Sequence, residues 1–141
     1  MKNLLYAFSV AATAFCVQAH AETWLSSSVL SFHLDRDSGK NERNFGVGIK
    51  HFVDERNVIA AGVYRNSNDI DSGYLVGGRC FYRSSYACGG GIFGLVTGYE
   101  EHAIVMGGLV LTLHGKKWGA SLAYFPKDSG VFALQIERRF W

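Results

Sequence analysis

The sequence predicts an all-β fold: an eight-stranded antiparallel up-and-down transmembrane β-barrel that follows a cleaved signal peptide. Three observations predict it. The chain contains 17 glycines, one proline and 14% aromatic residues, a composition that disfavours helices and suits sheets and membrane interfaces. Eight apolar runs of strand length are separated by turn residues. In residues 132–141, apolar residues alternate with small or polar ones up to a final aromatic residue.

Residues 1–21 have the pattern of a secretory signal peptide. Lys2 provides the positive start, residues 4–17 are almost entirely apolar, and Ala19-His20-Ala21 carries the small residues that a signal peptidase reads. The apolar stretch is too short to cross a bilayer as a helix. We therefore expect export, cleavage after Ala21, and one barrel domain over residues 22–141.

The rest of the chain divides into strands and polar turns. Asp37-Ser38-Gly39 and residues 126–130, which contain proline and glycine, have clear turn chemistry. Strands of about ten residues match the span of a small outer-membrane barrel. A soluble eight-stranded barrel or sandwich in the periplasm is the alternative. The predicted strands are residues 23–35, 42–53, 57–66, 73–82, 86–99, 103–114, 117–125 and 131–140.

Alternation along each strand predicts an inner and an outer face. In the first strand, Phe32 and Leu34 alternate with Ser31 and His33, so we expect His33, Ser31 and Ser27 on the inner face. In the fifth and sixth strands both faces are apolar or glycine, unlike the polar lumen of a porin. An eight-stranded barrel is filled by side chains or holds one slim ligand.

Glycines strengthen the prediction of an apolar cavity for a lipid or acyl chain, because they leave side-chain volume unfilled. The alternative for each glycine is strand bending or close strand approach. The glycines concerned are Gly46, Gly48, Gly62, Gly77, Gly78, Gly89, Gly90 and Gly91.

The charge of the chain and the spacing of its His and Cys residues argue against nucleic-acid binding and against a metal site. The net charge is only +2 and no block of lysine and arginine occurs, so nucleic acid is a poor candidate partner. No His or Cys cluster has zinc-ligand spacing, and we expect neither a metal nor a cofactor.

Cys80 and Cys88 flank Arg83-Ser84-Ser85 in a chain predicted to be exported. A disulfide across this hairpin and a pair of buried thiols are both compatible with the sequence.

Candidate site residues cluster at one predicted rim. With both termini on the periplasmic side, His33, Asn66 and Ser67 fall at the outer rim of the first and third strands. An inward histidine at the mouth of an apolar tube, close to a serine, is the pairing that acyl transfer needs, because imidazole accepts a hydroxyl proton near neutral pH.

The order of several landmarks resembles the outer-membrane lipid A palmitoyltransferase family of Gram-negative bacteria. His33 is followed by Asn41-Glu42-Arg43, by Phe45-Gly46-Val47-Gly48 and then by Asn66-Ser67. Tyr124-Phe125-Pro126 and residues 130–133 lead to a basic and aromatic ending in the same way. The similarity extends over residues 24–140.

This resemblance implies a barrel whose apolar interior measures an acyl chain, and an enzyme that moves a palmitoyl group from a phospholipid to lipid A. The family uses His, Asp and Ser at the extracellular rim. His33 matches the histidine and Ser67 the serine, while Asn66 stands at the position of the aspartate. An amide does not stabilise an imidazolium as a carboxylate does. The candidates to supply that carboxylate are Asp35, Asp69 and Asp71.

The leading hypothesis is an outer-membrane lipid acyltransferase of a Gram-negative bacterium. His33 is then the general base, Ser67 the nucleophile or oxyanion donor, and Asn66 the orienting residue or oxyanion donor. The expected partners are phospholipid, lipid A and the barrel-assembly machinery, and the expected state is a monomer. The opposing hypotheses are a non-catalytic small barrel that binds lipid or stabilises the envelope, and a periplasmic lipid-binding barrel.

Overall fold

The computed structural model describes residues 22–35, 37, 39–99, 103–127 and 130–140, and the predicted signal peptide lies outside them. Consecutive strands pair antiparallel, and the last strand pairs with the first, so the sheet closes into a barrel. The predicted eight-stranded up-and-down barrel is confirmed. The strands are β1 (Thr23–His33), β2 (Gly46–Phe52), β3 (Asn57–Arg65), β4 (Asp71–Arg83), β5 (Ala87–Val96), β6 (Ile104–His114), β7 (Trp118–Phe125) and β8 (Val131–Arg139).

The two ends of the barrel differ in the length of their connections. At the end that carries residues 22 and 140, which we call the terminal end, the turns are residues 53–56, 84–86 and 115–117. At the opposite end, which we call the mouth, the connections are residues 34–45, 66–70, 97–103 and 126–130. Short turns at one end and longer loops at the other are typical of outer-membrane barrels.

The largest boundary error of the sequence prediction lies before β2, which begins at Gly46 rather than at residue 42. The side chain of Asn41 forms a local turn: its Oδ1 accepts a hydrogen bond from the Arg43 backbone at 2.9 Å, and its Nδ2 donates to the Arg43 carbonyl at 3.0 Å. Such side-chain bonds compete with a strand ladder. Residues 42–45 therefore belong to the first mouth loop.

An irregularity in β1 reverses its inner face. The register against β8 shifts between Ser28 and Leu30, which indicates a β-bulge with Val29 as the additional residue. Before it, Ser28 lines the bore and Ser27 is exposed; after it, Ser31 and His33 line the bore. The prediction for Ser31 and His33 is confirmed. The prediction that Ser27 shares their face was wrong, because the bulge exchanges the two faces.

The outer face of the barrel is apolar on every strand. Scattered apolar side chains are normal on a protein surface, but a continuous band of them marks contact with another apolar phase. Among the residues that the structure describes, no helix combines the length and hydrophobicity needed to cross a membrane. One exposed apolar residue of each strand, in order from β1 to β8, is Leu25, Val47, Val63, Leu75, Phe93, Leu109, Leu122 and Ile136.

Candidate functional site

The barrel encloses a cavity of about 180 Å³ that extends from the mouth towards the terminal end. Its wall is mostly apolar and is built mainly by residues of β3 to β8. An apolar wall of this kind suits an apolar ligand rather than a hydrated ion. The side chains that form it include Ala60, Val76, Ile92, Met106, Val110 and Ala123.

The floor of the cavity is a buried polar cluster. Lys50 reaches from β2 across the bore, and its Nζ donates hydrogen bonds to Glu137 Oε1 at 2.6 Å and to Ser121 Oγ at 3.2 Å. Ser121 Oγ also donates to Glu137 Oε1 at 2.6 Å and lies 2.7 Å from Thr112 Oγ1. Glu137 is fully buried. Glu137 Oε1 thus accepts two hydrogen bonds, whereas Oε2 accepts none from the described residues and lies 2.5 Å from Lys50 Nζ as an ion pair. A buried charge pair is tolerated when further hydrogen bonds satisfy most of its polar atoms.

The terminal half of the bore is filled with side chains. Trp24 and Phe52 are fully buried, and the His114 ring packs 5.4 Å from the Trp24 ring and 5.7 Å from the Phe52 ring, centroid to centroid. Cys80 and Cys88 form a disulfide between β4 and β5 in the same cluster. Of the two alternatives that the sequence leaves open for these cysteines, the structure has the disulfide.

Most of the glycines do not create cavity volume. A Cβ on Gly48 would collide with the hydroxyl of Tyr74, and a Cβ on Gly62 would lie 2.7 Å from the same oxygen. These two glycines therefore make room for the Tyr74 side chain. Gly77 and Gly89 face open space. Of the eight glycines that suggested the cavity, Gly78 is the one that lines it.

His33 and Ser67 lie at the same end of the barrel and line the same cavity. His33 ends β1 and is 4% exposed; Ser67 lies two residues after β3 and is 6% exposed. Ser31, two residues before His33 on the same face, also lines the cavity, and its buried hydroxyl has no hydrogen-bond partner among the described residues. The mouth therefore gathers an imidazole and two serines around an apolar space.

The first mouth loop joins the ends of β1 and β3 across the short β2. The carbonyl of Glu42 accepts a hydrogen bond from the Ser31 backbone at 2.9 Å, and its Oε1 accepts one from the His33 backbone at 3.3 Å. The backbone N–H of Asn41 donates to the carbonyl of Ser67 at 2.9 Å. This loop is what brings Ser67 towards β1, although β1 and β3 are not paired.

Asn66 is fully buried and organises the second mouth loop. Its Nδ2 donates to Ser72 Oγ at 2.8 Å and to the Gly98 carbonyl at 2.7 Å, and its Oδ1 accepts from the backbones of Asn68 at 2.8 Å and Ile70 at 3.0 Å. These bonds occupy both groups of the amide, and Asn66 does not line the cavity. The structure thus gives Asn66 a structural role, and its predicted role in chemistry stays a prediction.

Two of the three aspartates considered as substitutes point away from the site. Asp69 and Asp71 each accept a hydrogen bond from the Arg65 guanidinium at 3.0 Å, and both side chains are largely exposed. Asp35 is exposed as well. The Glu42 carboxylate contacts the backbone N–H of His33 and not its ring.

Sequence reasoning missed Glu42 and the floor cluster for different reasons. Glu42 was included in a predicted strand, and nothing local indicates that it folds back onto β1. Lys50 and Glu137 carried a usable signal, because each occupies an inward position on its strand: Lys50 lies on the same face as Gly48, and Glu137 on the same face as Gln135. Opposite charges at inward positions of two strands predict a buried pair.

Comparisons with known proteins identify the fold. No model of a protein family matches the chain, and no curated protein matches it. Among solved structures, the de novo designed TMB2.3 matches with a TM-score of 0.66 and 12% identity, over 89% of this chain and 99% of that one. The outer membrane protein Ail of Yersinia pestis, in a phospholipid bilayer nanodisc, matches with a TM-score of 0.52 and 16% identity, over 86% and 100%. At these identities the likeness shows the small-barrel fold alone.

Proposed function

We propose that the protein is a bacterial outer-membrane barrel that takes one acyl chain of a lipid into its bore. The observation that carries the proposal is the cavity, which has apolar walls, a polar floor and a polar mouth. A linear hydrocarbon matches the walls, and the floor limits its depth because methylene groups gain nothing from contact with Lys50 and Glu137.

The membrane setting is supported by the outer face and by the structural neighbours. A barrel that exposes large apolar side chains such as Val47, Phe93 and Leu109 on every strand is poorly suited to water. In a bilayer the same side chains contact acyl chains, and the closed sheet satisfies its backbone hydrogen bonds internally. The predicted signal peptide fits export to that membrane.

The test of acyl binding uses a matched pair of substitutions on neighbouring residues. Ala60 lines the cavity and Ala61 is exposed on the outer face. We expect Ala60→Phe to fill the cavity and weaken binding of a fluorescent fatty acid at least about tenfold, and Ala61→Phe to leave it unchanged. The measurement is a titration of the refolded protein in detergent micelles.

Folding of both variants is checked by gel electrophoresis of unheated samples, in which a folded barrel resists unfolding. Equal binding by the two variants, or no saturable binding by the unsubstituted protein, contradicts the proposal.

A second candidate function, acyl transfer, is favoured by the mouth. His33 lies beside Ser31, whose buried hydroxyl has no partner among the described residues and is available to a ligand. In such a reaction an acceptor hydroxyl attacks the ester carbonyl of the donor lipid and gives its proton to His33. His33 then passes this proton to the departing alcohol. A serine hydroxyl at the mouth donates a hydrogen bond to the oxyanion.

Lipid A mass spectrometry from expressing cells separates the two functions. Acyl transfer predicts a mass increase of one acyl chain, a loss of that product in His33→Ala, and a reduced yield in Ser31→Ala or Ser67→Ala. Ser27→Ala is the matched control, because Ser27 lies on the outer face of the same strand. If the unsubstituted protein binds the fatty acid and leaves lipid A unchanged, acyl transfer is wrong and acyl binding stands.

A further inference from the structure

The terminal end carries a cluster of basic residues beside an exposed tryptophan. Lys116 and Lys117 form the turn between β6 and β7, and Trp118 begins β7. Arg138 of β8 is directly opposite Trp118 in the register, and its guanidinium carbon lies 5.5 Å from the centroid of the indole. We call these four residues the basic patch.

The cations of the basic patch have no acidic partner among the described residues. In the part of the chain that the structure describes, Lys116, Lys117 and Arg138 form no ion pair. Four other cations of the described residues are paired: Lys50 with Glu137, Arg65 with Asp69 and Asp71, and Arg83 and Arg139 with Glu22. The basic patch therefore presents unneutralised positive charge.

The basic patch borders the apolar outer face. Ala120 is the next outward residue of β7 after Trp118, and it pairs with Leu113 of β6 and Ile136 of β8. Leu113 is 55% exposed and Ile136 is 45% exposed. Over one rung of the sheet the surface changes from basic to apolar, with the 59% exposed indole of Trp118 between the two zones.

We propose that the basic patch binds the phosphate group of an anionic phospholipid at the membrane surface. The phosphate lies among Lys116, Lys117 and Arg138, and the acyl chains lie on Leu113 and Ile136. The indole takes the headgroup level, where tryptophan is enriched in membrane proteins. Each basic residue near an anionic surface contributes about 1 kcal/mol of attraction. This inference rests on the proposed membrane setting and is independent of the cavity.

The experiment measures quenching of tryptophan fluorescence by brominated lipids. The protein is inserted into phosphatidylcholine vesicles that contain either brominated phosphatidylglycerol or brominated phosphatidylcholine at the same fraction. We expect the brominated anionic lipid to associate with the unsubstituted protein at least about fivefold more strongly than the brominated phosphatidylcholine. A change of about fivefold in association is what the attraction from a single basic residue would give. The preference should weaken at high salt, and Trp118→Phe should reduce the quenching.

The variant K116Q/K117Q/R138Q should lose the preference, and Arg65→Gln at the mouth should keep it. Insertion is checked separately by resistance to carbonate extraction. If both lipids quench the inserted protein equally, or if the triple variant keeps the preference, the proposal of phosphate binding by the basic patch is wrong. The proposal of acyl binding in the cavity is not affected by that result. A protein that fails to insert into either vesicle overturns the membrane setting, and the patch with it.

Discussion

Between the terminal end and the floor, the bore is filled by Trp24, Phe52 and a disulfide, whereas between the floor and the mouth it surrounds a cavity with small apolar walls. The filled half has the close packing from which most of a domain's stability comes. The open half gives up that packing and gains room for a ligand. The difference teaches that one small barrel can hold its packed core and an open cavity in separate layers.

The largest expected effect comes from breaking the floor that separates the two halves. Glu137→Ala leaves the Lys50 ammonium buried without its counter-charge, so we expect a loss of ~3–5 kcal/mol in the free energy of unfolding. Urea unfolding in micelles measures it. The matched control is the double variant K50M/E137L, which replaces the pair by apolar residues and should cost far less. If the single variant is as stable as the double variant, the floor does not act as a charge pair.

Removing the disulfide should affect chiefly the filled half, although Cys88 also borders the cavity. The bond closes a short loop, since Cys80 and Cys88 are 8 residues apart, and such a loop corresponds to ~2–3 kcal/mol. We expect C80S/C88S to lower the free energy of unfolding by that amount and to leave fatty-acid affinity within twofold. A parallel loss of affinity would show that the two halves are coupled.

A truncation in the open half should cost less than one in the filled half. Met106 already faces empty space on one side, so fewer packing contacts are lost on its removal. We expect Met106→Ala to cost about 1 kcal/mol, compared with about 3–5 kcal/mol for Phe52→Ala in the filled half. Urea midpoints of the two variants make the comparison. Equal losses of stability would mean that the cavity wall is as tightly packed as the filled half.

The smallest expected effect lies outside both halves, in the first turn at the terminal end. The Asp54 carboxylate accepts hydrogen bonds from the Arg56 and Asn57 backbones at 2.7 and 2.6 Å, and these bonds lower its pKa below the ordinary value of 3.8. Its contribution to stability is therefore present above about pH 4 and is lost as the pH falls through the lowered pKa.

Asp54→Asn keeps an acceptor oxygen and removes this titration. We expect the variant to show a slightly shallower loss of stability between pH 4 and lower pH, measured by urea unfolding at each pH. Identical acid slopes for the two proteins would contradict the assignment.

The barrel was predictable because its signal is local. Alternation and turn residues place all eight strands, and parity alone orients His33 and Ser31 inward. Features that depend on distant residues were not predictable in this way. The turn around Asn41 that shortens β2, the return of Glu42 onto β1, and the use of the Asn66 amide within its own loop all depend on hydrogen bonds formed after folding. The chemical roles of His33, Asn66 and Ser67 stay predictions.

The bulge at Val29 has an evolutionary consequence. Since strand side chains alternate with a period of two, an extra residue would turn the rest of the strand over, and the bulge absorbs it so that Ser31 and His33 stay inside. Deletion of that one codon would leave a regular strand with the same inner face, because Ser28 and Leu30 already oppose the consecutive β8 residues Gln135 and Leu134. The side chains that line the mouth are therefore insensitive to the gain or loss of this one residue.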